Sequence, residues 1–100
     1  MNPLPIELHP SAVVEAASAQ SWYSEIEITL GLAFSDELDH AIECIADAPL
    51  RWTPHLHGTR CFFLRRFPFL IIYRPLADVV QIIAIPHTRR HPDYWKRRLK

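Results

Sequence analysis

The first fifty residues contain no lysine or arginine, and lysine is absent everywhere before Lys96. All eleven cations lie between Arg51 and Lys100, whereas nine of the eleven carboxylates precede Arg51. The formal net charge of zero is therefore the sum of an acidic half near −9 and a basic half near +9, opposed there only by Asp78 and Asp93. A clustered basic surface concentrates anions and speeds their capture, so the asymmetry points to a phosphate- or carboxylate-bearing partner. Long apolar runs are also scarce: Phe67 to Tyr73 and Ile82 to Pro86 are the longest. Both fall far short of the roughly 20 residues a helix needs to cross a bilayer, so no membrane span is expected. There are only two cysteines, Cys44 in a helical pattern and Cys61 at the start of a strand pattern. Without a secretory leader they make no disulfide framework, and a reducing cytoplasm is the expected setting. No repeat or low-complexity tract occurs.

One hundred residues, 49% of them apolar, suffice for one core and not for two, so residues 1–100 are expected to fold as a single domain. Ile6-Glu7-Leu8 reads as a short strand ended by His9-Pro10. Ser11 then stands where an N-cap is expected, ahead of good helix formers from Ala12 to Gln20, and this helix is predicted to run to about Ser24. After a weak break at Glu25 to Thr29, a longer helix ends before Pro49. Its apolar face is Leu30, Phe34, Leu38, Ala41, Ile42 and Ile45, and its opposite face is Asp36, Asp39, Glu43 and Asp47. Burying each large residue of the apolar face is worth about 1.5–3 kcal/mol before entropy is subtracted, which is reason enough to dock the helix on a sheet.

Pro49 to Arg60 reads as a loop. Three runs rich in β-branched and aromatic residues follow, Cys61 to Phe67, Phe69 to Tyr73 and Val79 to Ile85, separated by short turns at Pro68 and at Pro75 to Asp78. Such brief links join antiparallel neighbours. The predicted fold is α+β: an N-terminal strand, then a two-helix hairpin packed on an antiparallel sheet with a C-terminal three-strand meander. The basic tail is predicted to finish as a short helix starting at Pro92 or Asp93.

Several clusters invite chemical readings. His87 and His91, or His55 and His57, have spacings that bring two imidazoles together, but neither pair has a third ligand at a familiar distance in sequence, so no metal site and no cofactor is assigned. Cys44 beside the buried stripe and Cys61 at a strand start read as small core residues rather than nucleophiles. Trp22, Tyr23 and Trp52 read as core or interface fillers. Trp95 differs, because it lies among Arg89, Arg90, Lys96, Arg97 and Arg98. An amphipathic aromatic flanked by guanidinium groups suits a recognition surface. The segment His87 to Arg98 is therefore the candidate functional region, against the plainer reading of a solvated basic helix.

Phe67-Pro68-Phe69, Tyr73-Arg74, the short turn to Val79, Ala84, and the ending His87-x-Arg89-Arg90-x-Pro92-x-Tyr94-Trp95-x-x-Arg98 together resemble the RelE/ParE superfamily of toxins from type II toxin–antitoxin modules, on its ParE-like or plasmid-stabilisation side. The resemblance implies a growth-inhibiting toxin neutralised by a cognate antitoxin, with Arg65, Arg74, His87, Arg89, Arg90, Tyr94, Trp95 and Arg98 as target- or antitoxin-binding residues. Its target would be an essential macromolecule such as DNA gyrase. RelE-like relatives instead cleave messenger RNA at the ribosome without a metal, which requires a base for the 2′-hydroxyl, cations for the transition state and an acid for the leaving oxygen. For that alternative the resemblance offers Tyr94, Arg89 and Arg65. However, Phe62, Phe63 and Leu64 stand where strand lysines are expected, and Leu70 where an arginine is expected. The reading therefore leans away from an enzyme. A non-toxic nucleic-acid-binding module remains the rival from another class.

Overall fold

The computed structural model describes residues 2–99. Its elements in chain order are β1 (Ile6–Leu8), α1 (Pro10–Ile26), α2 (Ile28–Asp47), β2 (Thr53–Pro54), β3 (Arg60–Phe63), β4 (Leu70–Pro75) and β5 (Val80–Ala84). Helix α1 starts two residues earlier than Ser11 as a cap would require. Pro10 takes the first helical position, where its fixed φ is favourable and its missing N–H is no loss. The cap is His9, whose Nδ1 accepts a hydrogen bond from the Ser11 amide at 3.1 Å.

The expected break between the helices is narrower than the sequence suggests. Glu27 alone is extended (φ −162°, ψ 133°). Its amide closes α1 on the Tyr23 carbonyl at 3.0 Å, while its carbonyl accepts from Leu30 at 3.0 Å and opens α2. Helix α1 thus reaches Ile26 rather than Ser24, because one residue can both end a helix and begin the next. Gly31 permits the close approach that follows: a Cβ there would lie 2.9 Å from the Ser24 Cβ, and closer still to its hydroxyl. Gly31→Ala is expected to destabilise the protein by about 1–2 kcal/mol. Overpacking of about 1–3 kcal/mol outweighs the roughly 1 kcal/mol that alanine gains in helix propensity. A thermal melt no lower than wild type would show that the helices separate freely.

The sheet order is β1-β5-β4-β3-β2. Strands β2 to β5 pair antiparallel as expected, but β1 runs parallel to β5 (Ile6 opposite Val80, Leu8 opposite Ile82), so the sheet is mixed rather than antiparallel throughout. Parallel neighbours require a long crossover, and the helix hairpin with the following meander supplies it. The run predicted from Cys61 to Phe67 is a strand only to Phe63. Pro68 cannot donate to a ladder, and the Phe69 amide instead folds back on the Phe67 carbonyl at 2.8 Å. The expected Pro49–Arg60 loop contains β2 and a 3-10 turn, Leu56–Gly58, where His57 (φ 59°) and Gly58 (φ 75°) are left-handed.

Alternation along the strands sends side chains to two faces. On the helix side Ile71, Tyr73, Val80 and Ile82 pack with Phe34, Leu38, Ala41 and Ile45. Leu30 and Ile42 of the predicted stripe are partly buried, while Asp36, Asp39, Glu43 and Asp47 are exposed. Tyr23, Phe34, Phe67 and Phe69 meet mostly edge to face, with centroids 4.8–6.2 Å apart. On the other face Cys61, Leu70, Ile72, Ile83 and Ala84 form a smaller core around Trp95. The C-terminal segment therefore covers the second face of the sheet. It does so as turns ending in a 3-10 helix at Lys96–Leu99, not as a helix from Pro92 or Asp93. Among the described residues, no helix is long and apolar enough to cross a membrane.

Candidate functional site

Strand β1 pairs with β5 only as far as Ile82. A register shift opposite Ile72 and Tyr73 marks a bulge in β5 just beyond that point. The Ile83 carbonyl and the Ile85 amide then find side chains where a strand would otherwise lie. Arg98 Nη1 donates to the Ile83 carbonyl at 3.1 Å, and Glu15 of α1 accepts from the Ile85 amide at 2.9 Å. Glu15 and Arg98 also meet in a bidentate pair at 3.0 Å for each bond, and the Tyr94 hydroxyl donates to the same carboxylate at 2.6 Å. Three segments far apart in sequence are thus joined at one point of the β5 edge.

The electrostatics follow from that geometry. Burial pushes the Glu15 carboxyl up, but bonds from Arg98, Tyr94 and the Ile85 amide, with the Arg98 charge, outweigh it and hold the group below its ordinary value. Arg98 is raised, first by its bond to Glu15. Tyr94 is raised by burial and then by its bond to the Glu15 carboxylate. At neutral pH the phenol therefore keeps its proton and commits it to a fixed acceptor.

Beside this clasp lies a cleft of about 260 Å³ lined by His55, Phe63, Leu70, His87, Arg90 and Trp95, among others. Trp95 is its floor and is buried, contrary to the surface position that its basic neighbours suggested. Those neighbours are long side chains that reach water while the indole turns inward. His55 and His57 rings lie 6.0 and 5.8 Å from the indole. Burial first and then the neighbouring His57 lower the His55 imidazole below its ordinary value. His57 and His91 approach Asp93 at 3.6 and 2.9 Å. Among the described residues no three His, Cys, Asp or Glu side chains converge to hold a metal ion.

Of the residues selected from sequence, His87, Arg90 and Trp95 meet at the cleft, and Tyr94 and Arg98 meet behind it. Arg90 lies 4.0 Å over the Tyr94 ring. Arg89 is exposed, its amide donating to His87 Nδ1 at 3.1 Å. Arg74 is half-buried and spent internally on Gln81 and the Leu99 carbonyl. Arg65 stands apart, in a groove between α2 and β3. Glu15 carries no signal in the sequence, because nothing within α1 distinguishes it from a surface carboxylate. The spacing of His55 and His57 points only to a metal pair.

The three-layer α+β domain, with its helix hairpin, five-stranded mixed sheet and basic C-terminal segment, is shared by solved structures. A chain from the chromosomal ParDE TA system of P. aeruginosa superposes with a TM-score of 0.74 at 15% identity, covering 84% of this chain and 95% of that one. A chain from the RelBE2 toxin-antitoxin complex of Mycobacterium tuberculosis superposes at 0.60 and 17% identity, covering 86% and 99%. No curated protein matches the sequence. Residues 6–92 match the family described as ParE toxin of type II toxin-antitoxin system, parDE. The chain belongs to that ParE toxin family.

Proposed function

We propose that this toxin stops growth by binding an essential protein, DNA gyrase, rather than by cutting RNA, and that a cognate antitoxin neutralises it. The observation carrying this reading is the state of Tyr94. Its hydroxyl donates to Glu15 and its phenol is raised, so it is not placed to accept or shuttle a proton for RNA cleavage. The strands agree: Phe62, Phe63 and Leu64 supply no cation, and Leu70 is buried in the smaller core. Exposed Arg89 and Arg90 leave the C-terminal segment with a cationic surface suited to protein recognition.

The endoribonuclease alternative draws on one specific observation, the meeting of His55, His87 and Arg90 around the cleft, since two imidazoles and a guanidinium can act as acid, base and transition-state cation. Supercoiling by gyrase and ribosome-dependent cleavage of messenger RNA, assayed in parallel on purified protein, separate the two. Inhibited supercoiling with intact RNA is expected. Replacing Arg89 and Arg90 with Ala is expected to weaken the inhibition while costing only about 1 kcal/mol of stability, mostly the contact of Arg90 with the Tyr94 ring. Cleavage that disappears in Tyr94→Phe or His87→Ala would move the protein to the nuclease side.

A further inference from the structure

The charge asymmetry of the chain becomes an asymmetry of the fold. Helices α1 and α2 cover one face of the sheet, and the C-terminal segment covers the other. Between Pro10 and Asp47 there is no lysine or arginine. Exposed on this helix layer are Glu25, Glu27, Asp36, Asp39, Glu43 and Asp47. Among the described residues none of them lies within ion-pair distance of a lysine or arginine. On the C-terminal layer Arg89, Arg90, Lys96 and Arg97 are exposed, against one partly buried carboxylate, Asp93, that two imidazoles already approach. Each layer therefore presents a field of one sign, and the two signs face in opposite directions.

Shape adds to charge. On α2 the residues Leu32, Asp36, Asp39, Glu43 and Asp47 recur every three or four positions, on the side opposite Phe34, Leu38, Ala41 and Ile45. From Asp36 to Asp47 this acidic line is about 16 Å long, from the helical rise per residue. Its head is apolar, because Leu32 is 56% exposed one turn before Asp36. The basic layer holds the converse, the cleft of about 260 Å³ floored by Trp95, with Arg90 in its lining. Like layers repel and unlike layers attract, so a two-fold pairing of equal surfaces is disfavoured. A formal net charge of zero leaves no overall repulsion to keep copies apart.

We propose that free copies of this chain associate head to tail, the acidic line of α2 in one copy lying on Arg89, Arg90, Lys96 and Arg97 of the next, with Leu32 entering the cleft over Trp95. The contact is heterologous: each copy gives a different surface, and both kinds stay open at the ends of the assembly. Its size therefore grows with concentration. Single exposed ion pairs contribute little, but a row of them acting together is felt and is sensitive to salt. The basic layer is also the surface proposed above to meet gyrase, so self-association and target binding compete for it. That competition rests on the gyrase reading, whereas the association itself does not.

Sedimentation of the purified full chain tests the contact without any target. At about 0.1 M salt, where charges reach about 10 Å, the mean mass is expected to rise with protein concentration up to about 1 mM. At about 1 M salt the reach falls to about 3 Å and association should weaken at least about tenfold. Asp36→Asn with Asp39→Asn and Glu43→Gln neutralises the acidic line, and Arg89→Gln with Lys96→Gln and Arg97→Gln neutralises the basic surface. All these side chains are exposed, so both variants should fold, which a melting curve verifies. Each alone is expected to associate about tenfold or more weakly than wild type. Mixed in equal amounts they should regain the wild-type affinity and stop at a one-to-one complex, since one intact acidic line meets one intact basic surface. Leu32→Ser should weaken association without changing its salt dependence. A monomer at every concentration in low salt overturns the proposal. A mixture no more associated than its parts overturns it too, by showing a contact between like surfaces. Neither result touches the gyrase reading, which inhibition of supercoiling decides separately.

Discussion

Replacing Trp95 with Ala is expected to cost about 3–5 kcal/mol, the range for removing a large aromatic from a packed core. Trp95 is 1% exposed and is the largest fully buried side chain of the molecule. It touches no part of the helix-side core; its partners are Cys61, Leu70, Ile72, Ile83 and Ala84 on the opposite face of the sheet. With a total stability of about 5–15 kcal/mol for a domain of this kind, the loss removes a large share of the margin. The segment after His87 should then detach and expose those residues, so binding of a hydrophobic dye should rise while the helices stay formed. Trp95→Phe should retain much of the packing and cost less than half as much. Denaturant melts of the two variants measure the difference. A loss below 1 kcal/mol for Trp95→Ala would mean that the C-terminal segment does not pack on the sheet in solution, and the cleft would lose its floor with it.

Local signals carried the fold well where one element explains itself. The spacing of Phe34, Leu38, Ala41 and Ile45 on α2 required a buried face, and these four are buried. The continuous β-branched and aromatic run from Phe69 to Tyr73 reads as a strand, and both cores draw on it. What stayed hidden depended on distant partners. The parallel pairing of Ile6 with Val80 has no turn to announce it. A histidine cap at His9 has no sequence signature comparable to that of serine. Of the C-terminal signature, the positions were legible but not their directions. Arg98 looks like a surface residue in a basic run until Glu15, distant in sequence, is placed against it, and so does Trp95 until the second face of the sheet is placed beneath it. A site assembled from α1, the end of β5 and the C-terminal segment cannot be read from any window of neighbouring residues.

Glu15→Ala is expected to destabilise the protein by about 2–4 kcal/mol. The change strands the Arg98 charge, the Ile85 amide and the Tyr94 hydroxyl together, and each loses its partner in a site only partly open to water. Side-chain exposure of 14% for Glu15 and 17% for Arg98 keeps the figure below that of a fully dry ion pair. Glu15→Gln keeps the shape and part of the hydrogen bonding, and should cost about half as much. The same carboxylate gives stability a pH dependence of known sign. Its folded value lies below the ordinary 4.5, so the unfolded chain binds the proton more readily. Its contribution is complete above about pH 4.5 and is lost as pH falls through the folded value. Tyr94 acts at the other end. Its folded value is raised above 10.0, so its contribution is complete below pH 10 and declines as the unfolded chain ionises above it. Melting temperature measured from pH 7 down to pH 3 should therefore fall more steeply for wild type than for Glu15→Gln, with the two curves converging at the acid end. Parallel curves would show that the Glu15 carboxylate gains nothing from Arg98 and Tyr94, and that the clasp does not hold the C-terminal segment to α1.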